Sequence, residues 1–263
     1  MNYLLKTFYG FWQALGFLTT LPLPRCLFSK KYNLISPIAM GWVGIFIGAI
    51  NGAVFVGLLY LNVFHVFAVM MTIIFGLLLS GALHEDGFAD FCDGYFGKKN
   101  PKKILSIMRD SRIGSFGTLG LIILIYSRLT ALVLMFEWQV FYIILVLAMA
   151  AGLSRMAMGL AMFLPIDNNP QSSIKHIAKP NILSLMVAPQ ILWLTIFFPN
   201  DSALLWWRLP LLLAVIVFGL LILFLLLHRQ KQIPLTGDGL GFLQSITEMA
   251  LLFFFLSYFG FQQ

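Results

Sequence analysis

The chain consists largely of long apolar runs separated by short polar segments. A helix needs about 20 consecutive, mostly apolar residues to cross a membrane. Seven runs reach or approach that length: Pro37–Leu61, Val63–Leu83, Ile113–Phe136, Val140–Leu164, Ile182–Phe198, Leu209–Leu227 and Phe242–Phe259. Because backbone polar groups inside lipid must be satisfied within the segment, this pattern predicts an all-α fold, a polytopic transmembrane helix bundle with about seven spans.

A further apolar stretch, Tyr3–Thr20, precedes these runs. It has no small-residue cleavage site and leads into Leu21-Pro-Leu-Pro24, so we interpret it as an N-terminal interfacial or re-entrant helix rather than a signal peptide. A spanning arrangement stays open as the alternative. The sequence contains no internal repeat and no low-complexity linker, and we expect residues 1–263 to form a single integral membrane domain.

The composition agrees with a membrane protein. Hydrophobic residues make up 60% of the chain and charged residues only 10%, whereas soluble domains carry about 25% charged residues. The mean hydropathy is +0.92. The formal net charge of +7 is better explained by basic cytoplasmic loops than by a nucleic-acid partner. We therefore expect membrane lipid around the chain and no nucleic acid.

The basic residues indicate the orientation of the bundle. They cluster in four segments, Arg25–Lys31, Lys98–Arg112, Lys175–Lys179 and Arg229–Lys231. Alternating spans place all four on one side, while the opposite loops are short and nearly free of Lys and Arg. The positive-inside rule assigns the basic side to the cytoplasm. We expect an integral protein of the cell inner membrane.

Acidic residues are concentrated in the segment His84–Gly94. On a helix, Asp86, Asp90 and Asp93 fall at i, i+4 and i+7 and share one face, where like charges repel. A cation between them reverses that repulsion, and Mg²⁺ binds through carboxylates and substrate phosphates. With Glu85 they are our candidate metal ligands. The alternative is a solvated acidic face that caps helices, and the apolar residues between the aspartates argue against it.

A second polar segment, Ile107–Gly117, follows that cluster. Arg109 and Arg112 can present guanidinium groups to phosphates. Open backbone N–H groups at the start of the next helix form a ready anion site, and they belong to Ser111, Gly114, Ser115 and Gly117. The alternative is an ordinary polar helix start. Carboxylates for a metal beside arginines for phosphate favour phosphoryl or phosphate-ester transfer.

Three ionisable residues interrupt the apolar runs, namely Arg128, Arg155 and Glu248. Such groups are costly in a membrane and usually face the interior of the bundle. Arg155 and Glu248 lie at similar depths and can pair, either as a structural ion pair or as a substrate contact.

The last basic-side loop, Pro234–Gly241, contains Thr236 and Asp238 among three glycines. The two polar side chains offer oxygen ligands or a helix cap. Glycines permit tight turns or the close approach of a ligand. A glycine-rich helix start is the simpler alternative, and the position of the loop on the same side as the aspartates favours a site.

The two central segments together resemble the cobalamin synthase family, the adenosylcobinamide-GDP ribazoletransferases. Further pieces agree in order along the chain: Phe17–Pro24, Ser154-Arg155 with Leu164-Pro165, and Leu235–Gly241 with Glu248. One departure is Ile233-Pro234, where the family more often has glycines. The resemblance implies a Mg²⁺-dependent membrane enzyme that joins adenosylcobinamide-GDP to alpha-ribazole or its 5′-phosphate and releases GMP. The aspartate pattern is also similar to that of CDP-alcohol phosphotransferases.

On this basis we assign roles as hypotheses. Asp86, Asp90 and Asp93 hold Mg²⁺ against the pyrophosphate, and His84 or one of the aspartates takes the proton of the attacking hydroxyl. The catalytic candidates are His84, Asp86 and Asp90. The substrate-binding candidates are Arg109, Ser111, Arg112, Arg155, Thr236, Asp238 and Glu248. The alternatives are a CDP-alcohol phosphotransferase-like lipid enzyme and a cation-coupled transporter. The sequence leaves the oligomeric state open, homo-oligomers included.

Overall fold

A computed structural model of the protein describes residues 2–27, 37–97, 100–136, 138–163, 208–231 and 233–260. Throughout these ranges the regular structure is helical. The α-helices are α1 (Asn2–Leu18), α2 (Pro37–Tyr60), α3 (His65–Ser80), α4 (Leu83–Gly97), α5 (Pro101–Met108), α6 (Ser115–Leu134), α7 (Val140–Phe163), α8 (Arg208–Lys231) and α9 (Gly237–Gly260), with a short 3-10 helix at Arg25–Leu27.

Five helices are long and apolar enough to cross a membrane, namely α2, α6, α7, α8 and α9. Helices α3 and α4 together form a sixth candidate that bends by 87° between its halves. The predicted polytopic helix bundle is therefore confirmed. The predicted run Ile182–Phe198 lies outside the described residues. Helix α1 has 17 residues and packs on α2, and its interfacial or re-entrant placement stays a prediction.

A stripe of glycines holds α2 against α7. A Cβ atom on Gly44 would lie 2.3 Å from the Ala151 carbonyl oxygen, and one on Gly48 would lie 2.2 Å from the Leu147 carbonyl oxygen. Small residues four apart allow two membrane helices to approach until their backbones touch. This contact forms the centre of the bundle, around which the other helices pack.

The turn between α3 and α4 separates a membrane helix from the helix that carries the acidic cluster. Gly81 and Ala82 both have positive φ, 62° and 53°, and the N–H of Ala82 donates to the Leu77 carbonyl at 2.9 Å. This arrangement ends α3 at Ser80, three residues before the predicted span ended. The acidic segment His84–Gly94 lies within helix α4, the conformation in which Asp86, Asp90 and Asp93 share one face.

The N-terminal segment fastens this turn. The backbone N–H of Thr20 donates to the Leu79 carbonyl at 2.8 Å. The Thr20 hydroxyl donates to the Leu78 carbonyl, also at 2.8 Å. Both carbonyls belong to the last turn of α3, where helical partners are missing. The direction of α4 is thus set by contacts from a distant part of the chain.

We expect Gly48→Leu to destabilise the protein, because its side chain would collide with the α7 backbone. Overpacking of this kind costs about 1–3 kcal/mol, so the thermal unfolding midpoint in detergent should fall. Gly57→Leu is the matched control on the same helix, since a Cβ at Gly57 meets nothing within 4 Å. Equal midpoints for the two variants would contradict a glycine-dependent α2–α7 contact.

Candidate active site

Two helices bring three carboxylates together at the basic side of the bundle. Asp86 and Asp90 lie one turn apart on α4, and Asp238 lies in the first turn of α9. The negative charges of Asp86 and Asp238, and that of Asp93 further along α4, all act on Asp90. Asp86 is exposed, and Asp90 and Asp238 are half-buried. Their mutual repulsion makes this cluster a place where a cation is favourable.

The cluster depends on a close contact between α4 and α9. A Cβ on Gly87 would lie 3.0 Å from the Cα of Asp238, and a Cβ on Gly241 would lie 3.1 Å from the His84 carbonyl oxygen. The contact is extended by Phe91, which stacks on Phe242 with ring centroids 4.3 Å apart. The glycines let Asp238 approach α4, and the aromatic rings hold the two helices in register.

Thr236 acts as a helix cap in this arrangement. Its hydroxyl oxygen accepts a hydrogen bond from the backbone N–H of Gly239 at 3.1 Å, the geometry of an N-cap residue. Of the two predicted roles for Thr236, the structure shows the cap. Its contribution is to begin α9 at the residue before Asp238.

Arg109 is the basic member of the cluster. It follows α5 directly, and its positive charge acts on Asp238. We call Asp86, Asp90, Asp238 and Arg109 the carboxylate site. It combines carboxylate oxygens with a guanidinium group, and the phosphate chemistry expected of such a combination stays a prediction.

Arg112 and Ser111 are placed differently. The Arg112 side chain is 87% exposed and pairs with Asp110 at 2.7 Å. This guanidinium group lowers the pKa of Asp110 to about 2. Ser111 is exposed in the same turn. Both residues lie in the polar segment before α6, and their contact with substrate stays a prediction.

Asp93 binds the start of α6. Its carboxylate accepts hydrogen bonds from the backbone N–H groups of Gly114 at 2.7 Å and Gly117 at 2.8 Å. These are two of the N–H groups that we expected to hold a substrate anion, so the protein's own carboxylate occupies that site. A Cβ on Gly117 would lie 2.3 Å from an Asp93 oxygen, which explains the glycine there.

Glu85 belongs to a group of charges inside the bundle. It pairs with Arg128 of α6, and Arg128 also approaches Glu248 of α9 at 3.7 Å. Arg155 of α7 lies 3.7 Å from the other oxygen of Glu248, so the pairing expected from the sequence is present. We call these four residues the ion-pair network. Because both carboxylates have arginine partners, the network carries no net charge.

The sequence identified Arg128 as a charged residue within an apolar run but predicted no role for it in the site. Its position inside an apolar run was the available signal, because a membrane-embedded charge requires a partner. What the sequence did not show is that this partner is Glu85, one of the predicted metal ligands.

His84 faces the interior rather than the carboxylate site. The residue is buried, the charges that act on it are those of the ion-pair network, and its Nε2 atom has no hydrogen-bond partner. Its role as proton acceptor stays a prediction.

The fit of Mg²⁺ to the site rests on donor chemistry. Among the described residues, no group of three or more His, Cys, Asp and Glu side chains is arranged to hold a metal ion. Mg²⁺ in phosphate-handling sites usually takes one or two carboxylates and completes its shell with water and substrate phosphates. Asp86 and Asp238, whose negative charges act on each other, are two such carboxylates, and their repulsion of Asp90 favours a cation nearby.

Residues 10–256 match the family described as cobalamin-5-phosphate synthase. The chain belongs to the cobalamin-5-phosphate synthase family. The predicted family is thereby confirmed, and with it the prediction that the protein is a transferase.

Curated relatives agree with this family. A protein of Ralstonia pickettii is 31% identical over 98% of this chain and 99% of its own length, and one of Clostridium tetani is 29% identical over 96% and 98%. One of Pseudoalteromonas atlantica is 36% identical over 70% of this chain and 66% of its own length. All three are named adenosylcobinamide-GDP ribazoletransferase. No solved structure matches the chain.

We expect alanine substitutions of Asp93 and Asp86 to differ in their effect on the stability of the protein. Asp93→Ala removes two hydrogen bonds to a charged group and leaves the buried N–H of Gly117 and the partly buried N–H of Gly114 without a partner, at a cost of about 2–4 kcal/mol. Asp86→Ala removes a repulsive, exposed charge and should change stability by no more than about 0.5 kcal/mol. Thermal unfolding in detergent measures both. A midpoint for Asp93→Ala equal to the wild type would refute the helix-fastening role.

Proposed function

We propose that this protein transfers the cobinamide phosphate of adenosylcobinamide-GDP to alpha-ribazole or its 5′-phosphate in a Mg²⁺-dependent reaction at the carboxylate site. The products are adenosylcobalamin, or its 5′-phosphate, and GMP. The observation that carries the proposal is the convergence of Asp86, Asp90 and Asp238 beside Arg109. The names of the relatives supply the identity of the substrates.

Each residue of the carboxylate site has a task in this proposal. Asp86 and Asp238 would hold Mg²⁺, and a bound Mg²⁺ would supply positive charge for the pyrophosphate and the leaving group. Arg109 binds a phosphate oxygen. Asp90 accepts the proton of the ribose hydroxyl as its oxygen attacks the phosphorus attached to cobinamide. The bond from that phosphorus to the bridging oxygen breaks, and GMP leaves.

The proposal gives Glu85 and Asp93 no part in metal binding. Glu85 is paired with Arg128, and both Asp93 oxygens accept backbone hydrogen bonds. They maintain the positions of α4 and α6 around the site instead.

The orientation that we propose has the carboxylate site facing the cytoplasm from the inner membrane. Arg109, Arg229 and Lys231 lie on this side of the bundle, in agreement with the positive-inside rule. A water-soluble nucleotide substrate then meets the site without crossing lipid.

Asp90→Asn should reduce turnover by about 100-fold or more, because an amide cannot accept the hydroxyl proton. The measurement is GMP release from adenosylcobinamide-GDP and alpha-ribazole by purified protein in detergent with Mg²⁺. Asp110→Asn is the control, an acidic residue in the exposed Arg112 pair, and should retain activity. Wild-type turnover by a folded Asp90→Asn variant would remove Asp90 from the mechanism. A wild-type protein active only with a lipid alcohol and a CDP-activated donor would favour the lipid-enzyme alternative.

Chelation should abolish the reaction. We expect EDTA to reduce GMP release to background and added Mg²⁺ to restore it, while Ca²⁺ restores less because its larger ion relaxes the octahedral geometry. Mg²⁺ should also raise the thermal midpoint of the wild type and not that of an Asp86→Asn, Asp238→Asn double variant. Full activity in EDTA would exclude the metal from the proposal.

A further inference from the structure

The segment after α1 completes the end of the helix that precedes the carboxylate site. Thr20 donates its backbone N–H to the Leu79 carbonyl and its hydroxyl to the Leu78 carbonyl, both at 2.8 Å. These carbonyls lie in the last turn of α3, where the N–H donors of a following turn are missing. The segment Phe17–Pro24, one of the pieces that resemble the family, contains Thr20 but none of the residues of the carboxylate site.

The residues that follow α3 form a tight left-handed turn. Gly81 and Ala82 have φ angles of 62° and 53°. Their N–H groups donate back to the Leu78 and Leu77 carbonyls at 3.3 Å and 2.9 Å, which is the Schellman arrangement at a helix end. A non-glycine residue such as Ala82 keeps this conformation only when neighbouring contacts hold it. Thr20 supplies such a contact, since a Cβ on Gly81 would lie 3.0 Å from its methyl carbon.

The turn leads directly to a proposed metal ligand. The carbonyl of Ala82 accepts a hydrogen bond from the backbone N–H of Asp86 at 2.9 Å, the bond that begins α4. A change in the orientation of the Ala82 carbonyl therefore moves the first turn of α4 and Asp86 with it. Hydrogen bonds thus connect Thr20, through the end of α3 and the turn, to the backbone of Asp86.

Helix α1 keeps Thr20 in place beside the turn. Leu15 and Leu18 of α1 are buried in the same apolar cluster as Leu79 of α3 and Phe91 of α4. The helix before Thr20 and the two helices on either side of the turn therefore share one core. The position of Thr20 depends on this packing and not on its two hydrogen bonds alone.

Other contacts of α4 act elsewhere on the helix. Glu85 is held through its side chain by Arg128. Asp93 binds the start of α6 and lies about two turns beyond Asp86. Thr20 acts on the backbone of the turn immediately before α4. Loss of the Thr20 contact should therefore affect the first turn of α4 more than its far end.

We propose that Thr20 is a positioning residue for the carboxylate site. Its hydroxyl holds the turn between α3 and α4 in the conformation that places Asp86 opposite Asp238. Thr20 is exposed, so water can donate to the Leu78 carbonyl in its place. Removal of the hydroxyl therefore loosens the turn without unfolding the bundle. The inference rests on the proposed function for the role of Asp86 as a metal ligand.

Hydrogen exchange tests the connection to Asp86 without substrate or metal. Thr20→Val removes the hydroxyl and keeps the branched side chain. We expect amide exchange in the peptide that covers residues 79–90 to become about threefold faster or more, because the first turn of α4 opens more often. Peptides from residues 93–97 should exchange at the wild-type rate.

Two variants control this measurement. Thr19→Val removes the neighbouring hydroxyl, which donates back to the Leu15 carbonyl of α1 at 2.7 Å, and it should leave exchange at residues 79–90 unchanged. Thr20→Ser keeps the hydroxyl and should restore the wild-type rate. Gly81→Ala adds a Cβ against Thr20 at a positive φ. It is expected to act as Thr20→Val does and keeps the test valid if that variant does not fold.

A metal titration tests the effect on the carboxylate site. In Thr20→Val the Mg²⁺ concentration for half-maximal GMP release should rise about tenfold, because a proposed ligand is displaced, while the KM for alpha-ribazole keeps its wild-type value. Thr19→Val and Thr20→Ser should match the wild type. The assay is run well below the thermal midpoint, where a loss of stability alone would change neither constant.

The two measurements separate this inference from the proposed function. Faster exchange at residues 79–90 in a protein that releases no GMP from adenosylcobinamide-GDP would leave the contact between Thr20 and the turn standing, while the proposed reaction fails. Wild-type exchange in folded Thr20→Val would overturn the inference. A wild-type Mg²⁺ requirement in that variant would also overturn it, since Thr20 would then serve only the fold.

Discussion

The need of a buried arginine for opposite charge organises this half of the molecule. Arg128 lies in an apolar helix and is mostly buried, and an unpaired charge there would be strongly destabilising. Its two carboxylate neighbours come from different helices, Glu85 from α4 and Glu248 from α9. The ion pairs therefore fix α4 and α9 relative to α6. Asp86 and Asp238, which face the other way on the same two helices, are brought together as a result.

One helix thus serves three purposes with four acidic residues. Successive residues of an α-helix are rotated by about 100°, so neighbours in sequence point to different surroundings. On α4, Glu85 enters the interior, Asp86 and Asp90 face the proposed reaction site, and Asp93 fastens α6. Gly87, between them, leaves room for α9. Within the acidic cluster, Glu85 and Asp93 hold the helices in position, and Asp86 and Asp90 depend on that position for their proposed role in the reaction.

The sequence predicted the features that depend on local pattern. Apolar runs predicted the spans, the i, i+4 spacing placed Asp86 and Asp90 on one face, and the similar depth of Arg155 and Glu248 predicted their pairing. The sequence did not predict features that depend on tertiary contacts between particular side chains and backbone groups. An acceptor at Asp93 and donors at Gly114 and Gly117 were both recognised, but each was assigned to a ligand rather than to the other.

The hydropathy pattern also did not predict the change of direction between α3 and α4. An apolar run that continues to Leu83 gives no sign of an 87° bend, because the bend arises from two residues with positive φ and from contacts with Thr20. Asp110, two residues before Arg112, was visible in the sequence. The ion pair between Asp110 and Arg112 depends on the conformation of the turn before α6, which the composition does not specify.

The Thr20 contacts also bear on how the chain is made. The carbonyls of Leu78 and Leu79 accept hydrogen bonds from Thr20, which lies 58 and 59 positions earlier in the chain. Thr20 is therefore synthesised before either of its hydrogen-bond partners. Until α3 has been inserted, the N-terminal segment has no docking surface at this turn. The turn before the helix with the acidic cluster is therefore completed by a contact between an earlier segment and a later one.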